Sequence, residues 1–158
     1  MLRVLIVGFG NPLRSDDGLG WLVAKQLSSE PARDDVQIFA AYQLTPEFAE
    51  LASRSERMLF IDASCTGAPG TLNCKRIVPA APSSQFSHEL TPAGVLKLAE
   101  ELYGRCPVAY LLTVAGESFE TGEHLSPAVM AAIPALVEQI RELIEDAGEC
   151  GQTESDGR

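Results

Sequence analysis

Aromatic residues are scarce in this chain of 158 residues, at 6%, with a single tryptophan. Basic residues are scarce as well. Lys and Arg number 12 against 22 Asp and Glu, a net charge of −10. A nucleic-acid binder carries a basic face, and none is legible, so no nucleic-acid partner is expected. The same charge disfavours docking on an anionic membrane. It suits a protein partner with a basic stretch better. No apolar run approaches the roughly 20 residues needed to span a bilayer. Residues 1–8 lack the long apolar stretch and small-residue cleavage site of a secretion signal. A cytoplasmic location and no membrane association are therefore expected. Four cysteines occur, Cys65, Cys74, Cys106 and Cys150. They form no C-x-x-C pair and no zinc-ribbon spacing, and they read as thiols in a reducing compartment. No Gly-Lys-Ser/Thr is present, which excludes a P-loop.

What is present is regular. Leu2 to Val7 is apolar and β-branched with almost no polar alternation, as in a strand buried on both faces of a parallel sheet. Residues 18–29 have the apolar spacing of an amphipathic helix. Val36 to Ala41 reads as a second strand. Thr45-Pro46-Glu47 reads as a helix start with a hydroxyl cap, running to about Arg54. Arg57 to Asp62 is a third strand ending on an acid, and Thr71 to Val78 a fourth. Residues 79–90 are rich in proline and serine and read as a loop. Thr91-Pro92 opens a helix to about Tyr103. Pro107 to Val114 is a fifth strand. Ser126-Pro127 opens a long helix to about Asp146, with a kink expected at Pro134.

Alternating strands and helices predict an α/β fold: a three-layer α/β/α sandwich with a mostly parallel five-stranded sheet. The tight link between strands three and four leaves no room for a crossover helix. That pair is expected to be antiparallel or not adjacent. Residues 1–147 read as a single domain, and 148–158 as a polar, disordered tail.

In open α/β sheets, sites lie beyond the carboxyl ends of the strands. The polar residues falling there are Asp16 and Asp17 after strand one, Gln43 and Thr45 after strand two, Asp62 at the end of strand three, and Glu117 and Ser118 after strand five. His88 lies in the long loop after strand four. Two carboxylates and an imidazole, if they converge, make a mixed oxygen and nitrogen cation site suited to Ni, Zn, Fe or Mn. Each residue also has a plainer reading. Asp17 could cap the next helix, Asp62 could be a turn residue, and His88 an ordinary loop histidine. Two adjacent acids among glycines cannot both be the same cap, however. His124 reads as a surface residue. Cys65 sits near the presumed site, but no base beside it is legible. Gly8-Phe9-Gly10 begins like a dinucleotide fingerprint, but the third glycine would fall at Leu13, and the two acids would repel a pyrophosphate.

The stretch Gly8-Phe9-Gly10-Asn11-Pro12-Leu13-Arg14-Ser15-Asp16-Asp17-Gly18-Leu19-Gly20 fits the pattern G-x-G-N-x-L-x-x-D-D-G-x-G. It resembles the opening of the hydrogenase maturation proteases. These endopeptidases trim the C-terminal extension from the large subunit of nickel–iron hydrogenases. The resemblance continues at Asp62-Ala63 and at Ser87-His88-Glu89-Leu90. It implies an endopeptidase whose metal-contacting set is Asp17, Asp62 and His88. The metal would be nickel already installed in the precursor, with no organic cofactor. It implies that Asn11 and the glycines shape the loop beneath the set. Many family members carry Gly-Gly-Thr after the second strand, where this chain has Tyr42-Gln43-Leu44-Thr45-Pro46-Glu47. Gln43 and Thr45 are therefore expected to contact the precursor. Asp16 or Asp62 could serve as catalytic base, and the sequence does not choose between them. A non-catalytic escort of a nickel protein would use the same three residues. A small-molecule hydrolase of similar architecture would need a basic anion site, and Arg14 is the only basic residue in the first turn.

Overall fold

The computed structural model describes residues 2–81 and 89–145. Five strands form one sheet: β1 (Leu2–Phe9), β2 (Val36–Ala41), β3 (Ser55–Ser64), β4 (Leu72–Ile77) and β5 (Val108–Ala115), in the order β2-β1-β3-β5-β4. The β1–β2, β1–β3 and β3–β5 pairings are parallel, and β4 pairs antiparallel with β5. Strands three and four are thus not adjacent. The short link carries the chain past β5 to the edge, where β4 runs back. Four helices flank the sheet: α1 (Leu19–Ser28), α2 (Glu47–Ser53), α3 (Pro92–Tyr103) and α4 (Pro127–Ile144).

The central strands are apolar on both faces because helices cover both. Val4 and Ile6 of β1 and Leu59 and Ile61 of β3 pack with Leu19 and Val23 of α1 and Leu136 and Ile140 of α4. Leu5, Val7, Met58 and Phe60 point the other way, against Phe48 and Ala52 of α2 and Val95 and Ala99 of α3. This is the predicted three-layer arrangement, and it explains why these strands show no polar alternation. At roughly 25 cal/mol per Å², each fully buried Leu or Phe side chain contributes about 2 kcal/mol.

The helix starts follow local chemistry. Thr91 caps α3, its hydroxyl accepting from Gly94 N–H at 3.0 Å, with Pro92 at the first position. Ser126 and Pro127 play the same parts for α4, which continues unbroken through Pro134. The cap expected at Thr45 is not formed. The last residue before α2 is Pro46, no side chain caps it, and the Thr45 side chain hydrogen-bonds the Glu47 carboxylate instead. Cys65 and Cys106 are free thiols, whereas Cys74 is disulfide-bonded, contrary to the reading of all four as thiols. The expected tail after residue 147 lies outside the described residues. No helix among the described residues is long and apolar enough to cross a membrane.

Three glycines set the distance between α1 and the sheet. A Cβ at Gly8 would stand 2.0 Å from the Gly20 carbonyl oxygen, and one at Gly20 would stand 2.2 Å from the Ile61 carbonyl oxygen. Gly18 packs on Pro12 at a similar separation. At Gly20 the helix backbone therefore meets those of β1 and β3 directly, while Leu19, Val23 and Leu27 pack on the side chains of the strands.

Candidate active site

The sheet creates an opening between β1 and β3. Their pairing stops at Gly8 and Ile61, while the pairing of β3 with β5 continues through Asp62, Ala63 and Ser64. Asp62 thus lies within β3 rather than at its end, on the first residue past the β1 pairing. The connection from β1 leaves through α1 on one face, and α2 returns to β3 on the other. A crevice at such a divergence is where α/β folds bind ligands. A cavity of about 400 Å³ lies here, bordered by Asn11, Arg14, Asp17, Tyr42, Gln43, Asp62 and Glu89, among others.

The loop after β1 aims Asp17 into this cavity. Gly10 adopts φ +141°, and a Cβ there would meet the Asp17 carbonyl oxygen at 1.9 Å, so the turn requires glycine. The Gly10 N–H donates to the Ala41 carbonyl at 3.1 Å, tying the turn to the end of β2. The Asn11 N–H donates to Asp17 Oδ2 at 2.8 Å, and the Asn11 side-chain oxygen accepts from Leu13 N–H at 2.9 Å. Asn11 thus folds the loop and holds the carboxylate at once. Residues Ser15–Gly18 form a single 3-10 turn leading into α1.

Asp62 is half-buried, and its Oδ1 accepts from Ala63 N–H at 2.8 Å. Its carboxyl is pushed up to about 7, first by burial, then by the charges of Asp17 and Glu89, against the lowering effect of the Ala63 bond. The Asp17 charge acts on Asp62, and two acids facing one cavity favour an approaching cation.

Asp16 occupies a different place. It is fully buried and does not border the cavity. Its Oδ1 accepts from Ser126 N–H at 2.7 Å, and its Oδ2 from Glu117 N–H at 2.8 Å, Ser118 N–H at 3.1 Å and the Ser126 hydroxyl at 2.8 Å. Burial alone would raise its pKa. The donors from Ser126, Glu117 and Ser118 outweigh burial and hold the carboxyl below its ordinary range. Asp16 ties the loop after β5 to the turn that carries Asp17.

The two adjacent acids thus have separate surroundings: one is a bolt inside the loop, the other faces the cavity. Glu117 and Ser118, expected beside the cavity, do not border it, because their backbones turn inward to Asp16. Of the two residues expected to contact a precursor after β2, Gln43 borders the cavity and Thr45 does not. His88 lies outside the described residues. Among the described residues, no group of three His, Cys, Asp or Glu side chains is assembled into a metal site. Cys65 is exposed and away from the cavity lining. Tyr42, Arg14 and Glu89 were not among the expected site residues, although Arg14 was weighed as the one base of the first turn, Tyr42 opens the stretch after β2 and Glu89 sits in the Ser-x-His-Glu stretch. Nothing in the Ser126-Pro127 dipeptide beyond a helix start announces its grip on Asp16.

A second cavity of about 380 Å³ lies at the opposite end of the sheet, between the ends of α1 and α4 and along β2. Its Glu30 and Arg141 pair with each other at 2.6 Å. It holds no converging acids and offers no comparable chemistry.

No protein-family model matches the chain. It is 30% identical over 154 residues to the hydrogenase 2 maturation protease of Escherichia coli (strain K12), covering 93% of each chain. The fold superposes on the hydrogenase maturating endopeptidase HybD from E. coli with a TM-score of 0.74 at 28% identity, covering 93% of this chain and 94% of that one. It superposes on a hydrogenase 2 maturation peptidase from Thaumarchaeota archaeon SCGC_AB-539-E09 with a TM-score of 0.69 at 28% identity, covering 90% and 98% of the two chains.

Proposed function

Because this chain belongs to the hydrogenase maturation protease family, we propose that its carboxylate pair reads the nickel of a nickel–iron hydrogenase large-subunit precursor. Reading the metal then licenses removal of that precursor's C-terminal extension. The chain is an endopeptidase of this type. The observation that carries the finer reading is the meeting of Asp17 and Asp62 at one cavity, with Asp62 raised to about 7 by burial and by its neighbours' charges.

In this reading the nickel belongs to the substrate. Asp17 and Asp62 supply oxygen donors to its open positions, and His88, outside the described residues, supplies nitrogen. That donor set suits nickel. Docking the metal fixes the adjoining peptide against the cavity wall, so the scissile bond is positioned only when the metal is present. A precursor without nickel brings no cation for these acids to bind.

Cleavage adds water to the peptide carbonyl carbon, breaks the C–N bond, and leaves a new carboxyl and a new amine. One proton must pass from water to the departing nitrogen. Of the two acids the sequence leaves open as base, Asp62 borders the cavity and Asp16 does not, so Asp62 is the one placed to pass that proton. Asp16 is enclosed by four donors and held ionised, so its role is to position Asp17. Asn11 holds Asp17, and Gln43 offers the precursor a polar contact on the opposite rim.

The test is incubation with a large-subunit precursor from the same organism, loaded with nickel or free of it. Wild-type protein should shorten only the loaded form, and Asp17→Ala and Asp62→Ala should not shorten it. Equal cutting of both forms would refute metal reading. Retention of the loaded precursor without shortening would favour an escort role.

A further inference from the structure

We propose that Tyr42 is a specificity-determining residue, the wall of a subsite that takes an apolar or aromatic side chain next to the scissile bond; this rests on the protease reading above. Tyr42 directly follows the last residue of β2 and borders the same cavity as Asp17 and Asp62. It is 67% exposed. An aromatic this open on the rim of the cavity offers apolar area to a peptide bound there.

Its position is held from behind. The Tyr42 ring stacks on Trp21, with centroids 6.3 Å apart and planes at 17°. Trp21 stands in the first turn of α1, four residues after Asp17. Lys25, one turn further on, places its ammonium 5.2 Å from the Trp21 ring centroid. Trp21 and Lys25 root the stack in α1, the helix that follows Asp17, and Tyr42 leans on it from the bend after β2. A pre-positioned ring loses little conformational freedom when a peptide covers it. The single tryptophan of the chain serves as its backing.

The occupant is a side chain of the precursor, because the cavity is where the peptide must lie for its metal to reach the acids. The contact predicted is with apolar surface, since the carboxylates are committed to the metal.

The experiment measures kcat and KM on the nickel-loaded precursor. Tyr42→Ala should raise KM about tenfold and change kcat less than twofold. Tyr42→Phe should restore most of the affinity, and Trp21→Ala should fall between. Tyr103→Ala, an exposed tyrosine at the end of α3, is the control and should leave KM alone. Alanine substitutions in the precursor beside the cut should then show one apolar or aromatic position whose effect is not additive with Tyr42→Ala. An unchanged KM in Tyr42→Ala, with wild type cutting normally, overturns the subsite and leaves the protease reading intact. Coupling only to charged positions overturns the apolar assignment. A wild-type protein that leaves the loaded precursor uncut counts against the protease reading itself.

Discussion

Ser126 gives Asp16 both its backbone N–H, at 2.7 Å, and its hydroxyl, at 2.8 Å. The residue that caps α4 is thereby locked to the residue preceding the cavity-facing acid. Asp16→Ala leaves the part-buried donors of Glu117, Ser118 and Ser126 without their acceptor. A loss of about 3 kcal/mol or more is expected, since each stranded group costs its desolvation penalty. Thermal or urea unfolding measures it. Because Asp16 titrates below its ordinary range in the folded state, its contribution is present above the unfolded carboxyl pKa and fades as pH falls through the lowered folded value. The variant should therefore differ most from wild type at neutral pH.

Asp62 carries the opposite sign. Its folded pKa is raised to about 7 from an ordinary 3.8. The native state holds a proton there that the unfolded chain has released, so stability drops as pH climbs between those values and then levels off. Asp62→Asn removes the charge. It should raise Tm at pH 8 by several degrees, and change it little near pH 4. Cleavage should be lost at both pH values, separating the acid's cost to the fold from its use.

Asp17→Asn keeps the Asn11 N–H bond to a side-chain oxygen and touches no core residue. Stability should change by less than about 1 kcal/mol, as for most half-exposed polar substitutions. Processing of the nickel-loaded precursor should fall at least 100-fold, roughly the size expected when a positioning contact at the reacting centre is lost. Parallel melting curves and gel-shift assays separate the two effects. Normal cutting by Asp17→Asn would remove this acid from the metal-reading set.

Gly10→Ala and Gly104→Ala make a matched pair. Both positions have positive φ, +141° and +75°. A methyl at Gly10 collides with the Asp17 carbonyl, whereas at Gly104 it enters open space. Gly104→Ala should cost about 1 kcal/mol, the backbone term alone. Gly10→Ala should cost more and also abolish processing, because the collision falls on Asp17, which borders the cavity. Chemical denaturation and precursor cleavage report the two losses.

Much of this arrangement was legible in the chain. Val4 to Val7 and Met58 to Ile61 announced doubly covered strands, because helices on both faces remove any need for polar alternation. Thr91-Pro92 and Ser126-Pro127 announced helix starts, because a hydroxyl and a fixed φ are what a first turn needs. Asp62 was picked out by its position near the end of an apolar strand. Hydrogen bonds across 100 residues were not legible. Nothing in Glu117-Ser118 shows that their N–H groups turn inward to Asp16, and polar residues after a strand look alike whether they face a cavity or a buried carboxylate. The antiparallel β4 was only half specified. A short link says that β4 does not cross over, but says nothing of β5 coming between. Thr45 read as a cap because its hydroxyl is the right kind, yet a nearby carboxylate competed for it. Tyr42 escaped notice because an exposed aromatic has no periodicity to mark it.

The backbone contact at Gly20 makes one wall of the cavity stiffer than the other. Moving the helix by even a methyl's width would drive Gly20 into the carbonyls of Phe9 and Ile61, so the side that carries Asp17 tolerates almost no remodelling. The segment Tyr42–Glu47 meets no such backbone contact: Tyr42 is held through its ring against Trp21, and Leu44 by burial. On the proposed reading, a protease on this scaffold takes up a new client by rewriting rim residues such as Gln43, while Asp17 and Asp62 stay as they are.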